Sequence, residues 1–319
     1  MDVFLTFDVE IWCGGWQNLD ENFSRSFDQY IYGRTDKGDY GLPFALEMLE
    51  EYDLRAVFFV EPLFATRFGL EPLKEIVGLL LEKDQEIDLH LHTEWVDEAR
   101  EALLAKSGGK RQHLKYFSVQ EQSTLVAKGI QLLRQAGASD IAAFRAGNFA
   151  FNLDTLCALA ENGIEFDSSY NASLSGTDSG LMPGILVVSP IEAEGVYEYP
   201  MTVFKDGTGS LRHVQITACS YREMEGLLWQ ALEDERDSFV ILSHNFELLN
   251  RALNRPDWVV VERFRKLCSL LQRNQDCFRT RGFKGLIPKT VAQQQRPLVS
   301  PLWKTAARIL EQIYRRRYE

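Results

Sequence analysis

Two hydrophobic periods alternate along the chain. Short apolar runs of strand length recur at residues 3–7, 55–60, 86–92, 142–145 and 238–244. Between them lie stretches with helical spacing at 42–52, 71–83, 118–135, 153–161, 222–234 and 258–272. In the first of these, Leu46, Leu49 and Tyr52 share one side. Ser118 with Glu121 three residues on forms a capping-box pattern, and Gly137 provides the stop. Strands and helices alternating at this pace imply right-handed crossovers and a parallel sheet.

Three stretches break the rhythm. Residues 11–40 read as a long irregular loop rich in Gly, Asp, Asn and aromatics, including Trp12, Trp16, Phe23, Phe27, Tyr30 and Tyr32. A loop of this length directly after a strand is uncommon and often functional. Its aromatics would suit the apolar faces of a sugar, or would pack on one another. Residues 93–115 are less regular and carry a break at Gly108 and Gly109. Residues 195–205 and 211–218 read as a β excursion, and 277–280 as a last short strand.

The tail after Gln293 differs again. Pro297 and Pro301 precede a helical pattern that places Trp303, Ala306, Ala307, Leu310, Ile313 and Tyr314 on one face, with Arg315, Arg316 and Arg317 at its end. Such a helix can lie in a membrane interface. It can also pack back on the body of the protein, its arginines complementing the helix dipole; packing back is the favoured reading. The expected organisation is one catalytic body over residues 1–290, followed by an amphipathic basic helix over 291–319.

Composition narrows the class. At 319 residues, 45% hydrophobic and 25% charged, the chain can bury a large core as an ordinary soluble protein. A net charge of -11 argues against a general nucleic-acid binder. No apolar stretch approaches the length of a transmembrane helix, and no signal peptide is visible. The five cysteines are scattered without CxxC pairs, which fits a reducing cytoplasm and argues against a thiolate metal site. Cys157, Cys268 and Cys277 sit among apolar residues and read as core.

The chemistry gathers where strands end. Asp8 and Glu10 are two apart at the end of the first strand, so both should face the same side. His90 and His92 repeat that spacing at the end of the third, and His244 ends a later one. In parallel α/β folds this edge is where chemistry is done. Two imidazoles and a carboxylate suit Zn²⁺ or another divalent transition metal with positions left open for water and substrate.

The order of these segments resembles the polysaccharide deacetylase (NodB-homology) family. Thr6-Phe7-Asp8-Val9-Glu10 is similar to that family's Thr-Phe-Asp-Asp-Gly opening, in the Asp-x-Asp/Glu variant of its intracellular and allantoinase-like branches. Residues 56–60 resemble its second strand, and 86–90 the Glu-Ile-Gly-x-His of its metal motif. Phe144-Arg145-Ala146-Gly147 resembles Phe-Arg-x-Pro, Phe166-Asp167-Ser168-Ser169 resembles Tyr-Asp-Ser-Ser, and Leu242-Ser243-His244 resembles Leu-x-His. The departures are specific. The family's metal histidines stand at i and i+4, but the i+4 partner of His90 is Glu94, and the additional histidine is His92. Either can complete the site, with His92 preferred. Val9 replaces the second Asp, which passes metal binding to Glu10, and the Pro after Arg145 is absent.

The resemblance implies a distorted (β/α) barrel of about seven parallel strands with the site at their C-terminal ends, plus the β excursion and the C-terminal helix. It implies a divalent metal on Glu10, His90 and His92, with Zn²⁺ first and Co²⁺, Mn²⁺ or Ni²⁺ as other choices. Asp8 would be the general base, Arg145 its orienting partner and His244 the general acid; Asp167 would be structural and tether His244. The expected reaction is removal of an N-acyl, first of all N-acetyl, group from a nucleotide- or lipid-linked sugar of a surface polysaccharide or lipopolysaccharide pathway. The expected location is the cytoplasm, with peripheral contact at the inner membrane through the C-terminal helix. The alternatives are hydrolysis of a cyclic amide, a metal-free glycosidase using Asp8 and Glu10, and an inactive carbohydrate-binding relative.

Overall fold

A computed structural model describes residues 1–105, 109–174 and 181–318. In chain order the elements are β1 (Asp2–Val9), α1 (Leu19–Phe27), the hairpin β2 (Arg34–Thr35) and β3 (Gly38–Asp39), α2 (Leu42–Glu51) and β4 (Val57–Val60). Then come α3 (Ala65–Phe68), α4 (Glu71–Glu82), β5 (Glu86–Leu91), α5 (Val119–Ala136), β6 (Ala143–Ala146), α6 (Leu153–Glu161) and β7 (Phe166–Asp167). The short strands β8 (Ile191–Ala193), β9 (Val196–Glu198), β10 (Val203–Lys205) and β11 (Leu211–His213) form the β excursion. The chain closes with α7 (Tyr221–Glu233), β12 (Ser238–His244), α8 (Trp258–Arg273), β13 (Arg279–Thr280), β14 (Leu298–Val299) and α9 (Leu302–Tyr318). This is the mixed α/β, mostly parallel architecture that the alternating periods imply. Of the Gly108–Gly109 break, Gly108 lies outside the described residues.

Two compact units divide these elements. The first comprises Met1–Ala56, Thr202–Arg281 and Arg296–Glu319. In it, β1 pairs in parallel with β12 from Asp2 opposite Ser238 to Asp8 opposite His244, and with β13 at its start. Val3, Phe4, Leu5, Phe7 and Val9 are all buried. Burial on both faces is why this strand reads as a continuous apolar run rather than an alternating one. A small sheet joins β10 antiparallel to β11 and parallel to β14. Asp257 caps α8 by accepting from the Val260 N–H.

The second unit comprises Val57–Met201 and Gly282–Gln295. Here β4, β5, β6, β7 and β9 run parallel in that order, with β8 antiparallel on β9. The expected capping box forms: Ser118 accepts from the Glu121 N–H, and the Glu121 side chain takes the Ser118 N–H. Gly137 ends α5 with a left-handed φ of 115°, as its stop role requires.

Three expectations are corrected. Residues 11–40 are not one irregular loop: they contain α1, a π-helical turn over Asp28–Tyr32 and the β2–β3 hairpin. Leu19, Phe23 and Phe27 repeat at four-residue spacing and are buried, so the helix has an apolar stripe that the surrounding glycines and aromatics conceal. Cys268 is core, but Cys157 and Cys277 are only half-buried. The tail helix does pack back, yet with its polar face. Arg308, 3% exposed, binds Asp206 at 2.8 Å and Glu223 at 3.1 Å, and Thr305 accepts from the Gly207 N–H. A Cβ on Gly207 would stand 2.2 Å from Leu302 Cα, so the helix start can sit there only against glycine. Among the described residues, no helix is long and apolar enough to cross a membrane.

Candidate functional site

In the first unit, the register of β1 and β12 brings their carboxyl ends level, so Asp8 lies opposite His244. Asp8 and Glu10 are buried, and His244 Nε2 is 4.0 Å from Glu10 Oε1. Its other ring nitrogen, Nδ1, is 2.7 Å from Glu247 Oε1. Glu247 is itself held by the Ser243 hydroxyl and the Gln215 amide. Asn245 fixes the Glu10 backbone from both sides, accepting from its N–H at 3.1 Å and donating to its carbonyl at 3.3 Å. The same amide donates to the Tyr30 carbonyl at 2.6 Å.

Burial works to pull the His244 imidazole down, but the Glu247 hydrogen bond and charge, with Glu10 and Asp8, outweigh it and raise the group to about 9. The folded value therefore lies above the unfolded one of ~6.5. The imidazolium's contribution to stability is complete below that pH and is lost as pH rises through about 9. At neutral pH the ring carries a proton it can give away.

In the second unit, His90 stands near the end of β5 and His92 just after it, with ring centroids 4.8 Å apart in an edge-to-face pair. His90 Nδ1 is 2.8 Å from the Arg145 carbonyl oxygen, which can only accept, so Nδ1 carries a hydrogen and Nε2 is the nitrogen whose lone pair a metal can use. His92 Nδ1 is 3.3 Å from Glu94 Oε2, and Asn148 donates to the other oxygen at 3.2 Å. Burial acts to raise the Glu94 carboxyl, but its bonds to His92 and Asn148 hold it below the ordinary range. Asn148 does this from a left-handed backbone, φ 56°, the kind of local strain that clusters at functional sites. Gly147 is also needed: a Cβ there would be 2.8 Å from His92 Nδ1 and 2.7 Å from the Leu91 carbonyl. Nearby, burial pushes Glu61 up to about 8, although it accepts from the Leu63 and Phe64 N–H groups.

Arg145 is fully buried over the Phe59 ring and donates to the Ser168 carbonyl at 2.9 Å and the Ser168 hydroxyl at 3.1 Å. Behind it, Asp167 and Glu198 are register partners on β7 and β9, and one oxygen of each, Asp167 Oδ2 and Glu198 Oε2, is buried without a hydrogen-bond donor. Both are completely buried. Burial first, then the mutual charge, raises Glu198 well above its usual range, so the pair shares a proton. Unfolded carboxyls release that proton above pH ~4.3, so stability falls as pH rises beyond that value. Glu198→Gln places an amide donor where the proton sat. It should raise stability at pH 8 and flatten the decline between pH 5 and 8, by up to ~1.4 kcal/mol per pH unit for one proton. Urea midpoints at the two pH values check this; a decline as steep as the parent's would contradict the shared proton.

The first unit thus collects Asp8, Glu10 and His244, and the second His90, His92 and Arg145. The partner of His244 is Glu247, not Asp167, which binds Ser169 at 2.5 Å. Glu247 had a local signal, a carboxylate three residues after a strand-end histidine. Glu61 carried a weaker one, a carboxylate directly after a buried strand. Asn245, Gly147 and Glu198 had none, because their roles come from register and close approach.

No known protein-family model matches the chain, and no curated protein matches it. Among solved structures, a candidate polysaccharide deacetylase from Mycobacterium smegmatis aligns over 92% of this chain and 94% of its own, with TM-score 0.51 and 19% identity. A family 4 carbohydrate esterase from Streptomyces lividans, solved with acetate, aligns over 94% and 97% with TM-score 0.43 and 14% identity, too loosely for any inference. The first alignment identifies the fold: the chain has the fold of the polysaccharide deacetylases.

Proposed function

From that fold and the strand-end groups, we propose that the protein is a metal-dependent hydrolase that removes an N-acetyl group from a sugar. The observation that carries the reading is the state of the two histidines. Each has Nδ1 within hydrogen-bond reach of an acceptor, so in the neutral ring the free lone pair is on Nε2, the arrangement that metal-binding imidazoles use. Glu10, His90 and His92 are buried and offer one ligand atom each, a set that fits Zn²⁺, Co²⁺, Mn²⁺ or Ni²⁺. Glu94 then orients His92 and is not itself a ligand. When bound, the metal would polarise the acyl carbonyl and acidify a water.

The protein's own groups divide the remaining work. Asp8 takes a proton from the attacking water, and Arg145 orients Asp8. Water oxygen bonds to the acyl carbon, the C–N bond breaks, and His244 protonates the departing nitrogen. Acetate and a free amino sugar leave. Acetate release from N-acetylated sugars by Zn²⁺-loaded and chelator-treated protein tests the reading. Release restricted to the loaded form supports it; ring opening of cyclic ureides with no acetate released from any sugar would replace it with the cyclic-amide reaction.

The substrate class proposed is a nucleotide- or lipid-linked sugar of surface polysaccharide or lipopolysaccharide synthesis, handled by a cytoplasmic enzyme at the inner membrane. In this reading, residues 291–319 supply the membrane-facing surface and residues 1–290 the catalytic body. Support comes from α9. Leu302, Trp303, Ile309, Leu310, Ile313 and Tyr314 all face solvent, with Arg316 and Arg317 beside them. An exposed apolar stripe with terminal aromatic and basic residues suits an anionic lipid interface. Leu310→Glu with Ile313→Glu should move the protein from the membrane to the soluble fraction without loss of stability. An unchanged distribution would remove the membrane contact.

A further inference from the structure

Beside His244 the first unit contains a cavity of about 700 Å³. That volume is within the range of small-molecule sites. Its lining includes Tyr30, Phe246, Glu247, Arg251, Arg315 and Arg316. His244 itself is not in the lining, but Glu247 both lines the cavity and holds the His244 ring, so one carboxylate separates the space from the proposed general acid. Phe246 stacks near His244 at 5.4 Å and meets Tyr30 edge-to-face at 5.2 Å. These rings provide an apolar platform of the kind sugar faces pack against.

The charges in the lining decide what else fits. Its two carboxylates are already committed. Glu247 serves His244 and Gln215, and Asp257 binds Arg315 at 2.6 Å while capping α8. Arg251 and Arg316 are exposed and pair with no carboxylate among the described residues. An acidic protein therefore keeps two guanidiniums without a carboxylate partner in the wall of one cavity, together with an aromatic platform and the glutamate that holds His244. Guanidiniums recognise phosphate oxygens with geometric as well as electrostatic preference. We propose that this cavity is a subsite for the phosphate or diphosphate of a glycosyl phosphate, with Arg251 and Arg316 binding the anion and Tyr30 and Phe246 flanking the sugar. A neutral polysaccharide would leave both guanidiniums unused. This assignment rests on the deacetylase reading for the direction in which the acetamido group points, and two carriers, nucleotide or lipid, present the same anion.

Calorimetry on the metal-loaded protein tests it, with N-acetylglucosamine 1-phosphate and N-acetylglucosamine as probes. The phosphate should bind at least about tenfold more tightly than the neutral sugar. That advantage should weaken as salt rises. It should fall below about threefold in the Arg251→Gln, Arg316→Gln double variant. Since the phosphate can also reach the metal, the double variant is the decisive arm; circular dichroism confirms that it folds. Equal binding of both probes, or an advantage unchanged in the double variant, would overturn the subsite. A preference for the phosphate without acetate release from any sugar would instead sink the deacetylase reading and leave the anion subsite standing. Comparing UDP-N-acetylglucosamine with N-acetylglucosaminyl diphosphoryl decaprenol in detergent micelles then distinguishes the carriers. A loss of the advantage in both arms counts against the subsite.

Discussion

Replacing His244 with alanine should lower kcat for N-acetyl hydrolysis by about 10²–10⁴-fold, with KM changed by less than about threefold. The size follows from its place. The ring sits opposite Asp8, its Nδ1 is fixed by Glu247, and it carries a proton at neutral pH. An amine is a poor leaving group, so the proton must arrive as the C–N bond breaks. An aryl acetate leaves without that help, and the same variant should lose less than about tenfold on such an ester. Glu247→Gln keeps the ring's hydrogen bond but removes the charge that raises it. The alkaline limit of the N-acetyl reaction should then move to lower pH. Equal losses on amide and activated ester would assign His244 to metal or substrate binding and remove it as the acid.

Arg308→Met should destabilise the first unit by about 3–5 kcal/mol, the cost of breaking a buried ion pair from one side. The guanidinium is 3% exposed and spans Asp206 and Glu223, the latter fully buried. Methionine fills the stem but leaves two carboxylates without their cation. Lysine should recover only part of the loss, since its single ammonium cannot bind both partners in the guanidinium's geometry. Denaturant midpoints measure the change. A cost below about 1 kcal/mol would mean that α9 is held by something other than this triad. The same reasoning predicts that removing residues 294–319 destabilises the protein, which makes substitutions on the exposed face of α9 the cleaner probe of membrane contact.

What was legible in the chain was whatever strand or helix period alone dictates. The apolar runs of β1 and β12 could be read because both faces are buried, and the i, i+2 pairs Asp8/Glu10 and His90/His92 because strand geometry fixes their side. Leu19, Phe23 and Phe27 carried a helical period, but Gly14, Gly15 and the neighbouring aromatics made the region look irregular. The pairing of Asp167 with Glu198 depends on which strands become neighbours, which no local pattern states. The face on which α9 packs was equally hidden. Its apolar residues look like a core stripe, but two buried carboxylates elsewhere in the unit require Arg308, and that requirement turns the helix outward.

The most direct test of the central claim is zinc titration by calorimetry after chelator treatment, with the parent protein beside His90→Ala. Tight one-to-one binding in the parent, lost in the variant, is the expected result. A parent protein that binds neither Zn²⁺ nor, on repetition, Co²⁺ or Mn²⁺ would contradict the metal-dependent mechanism outright.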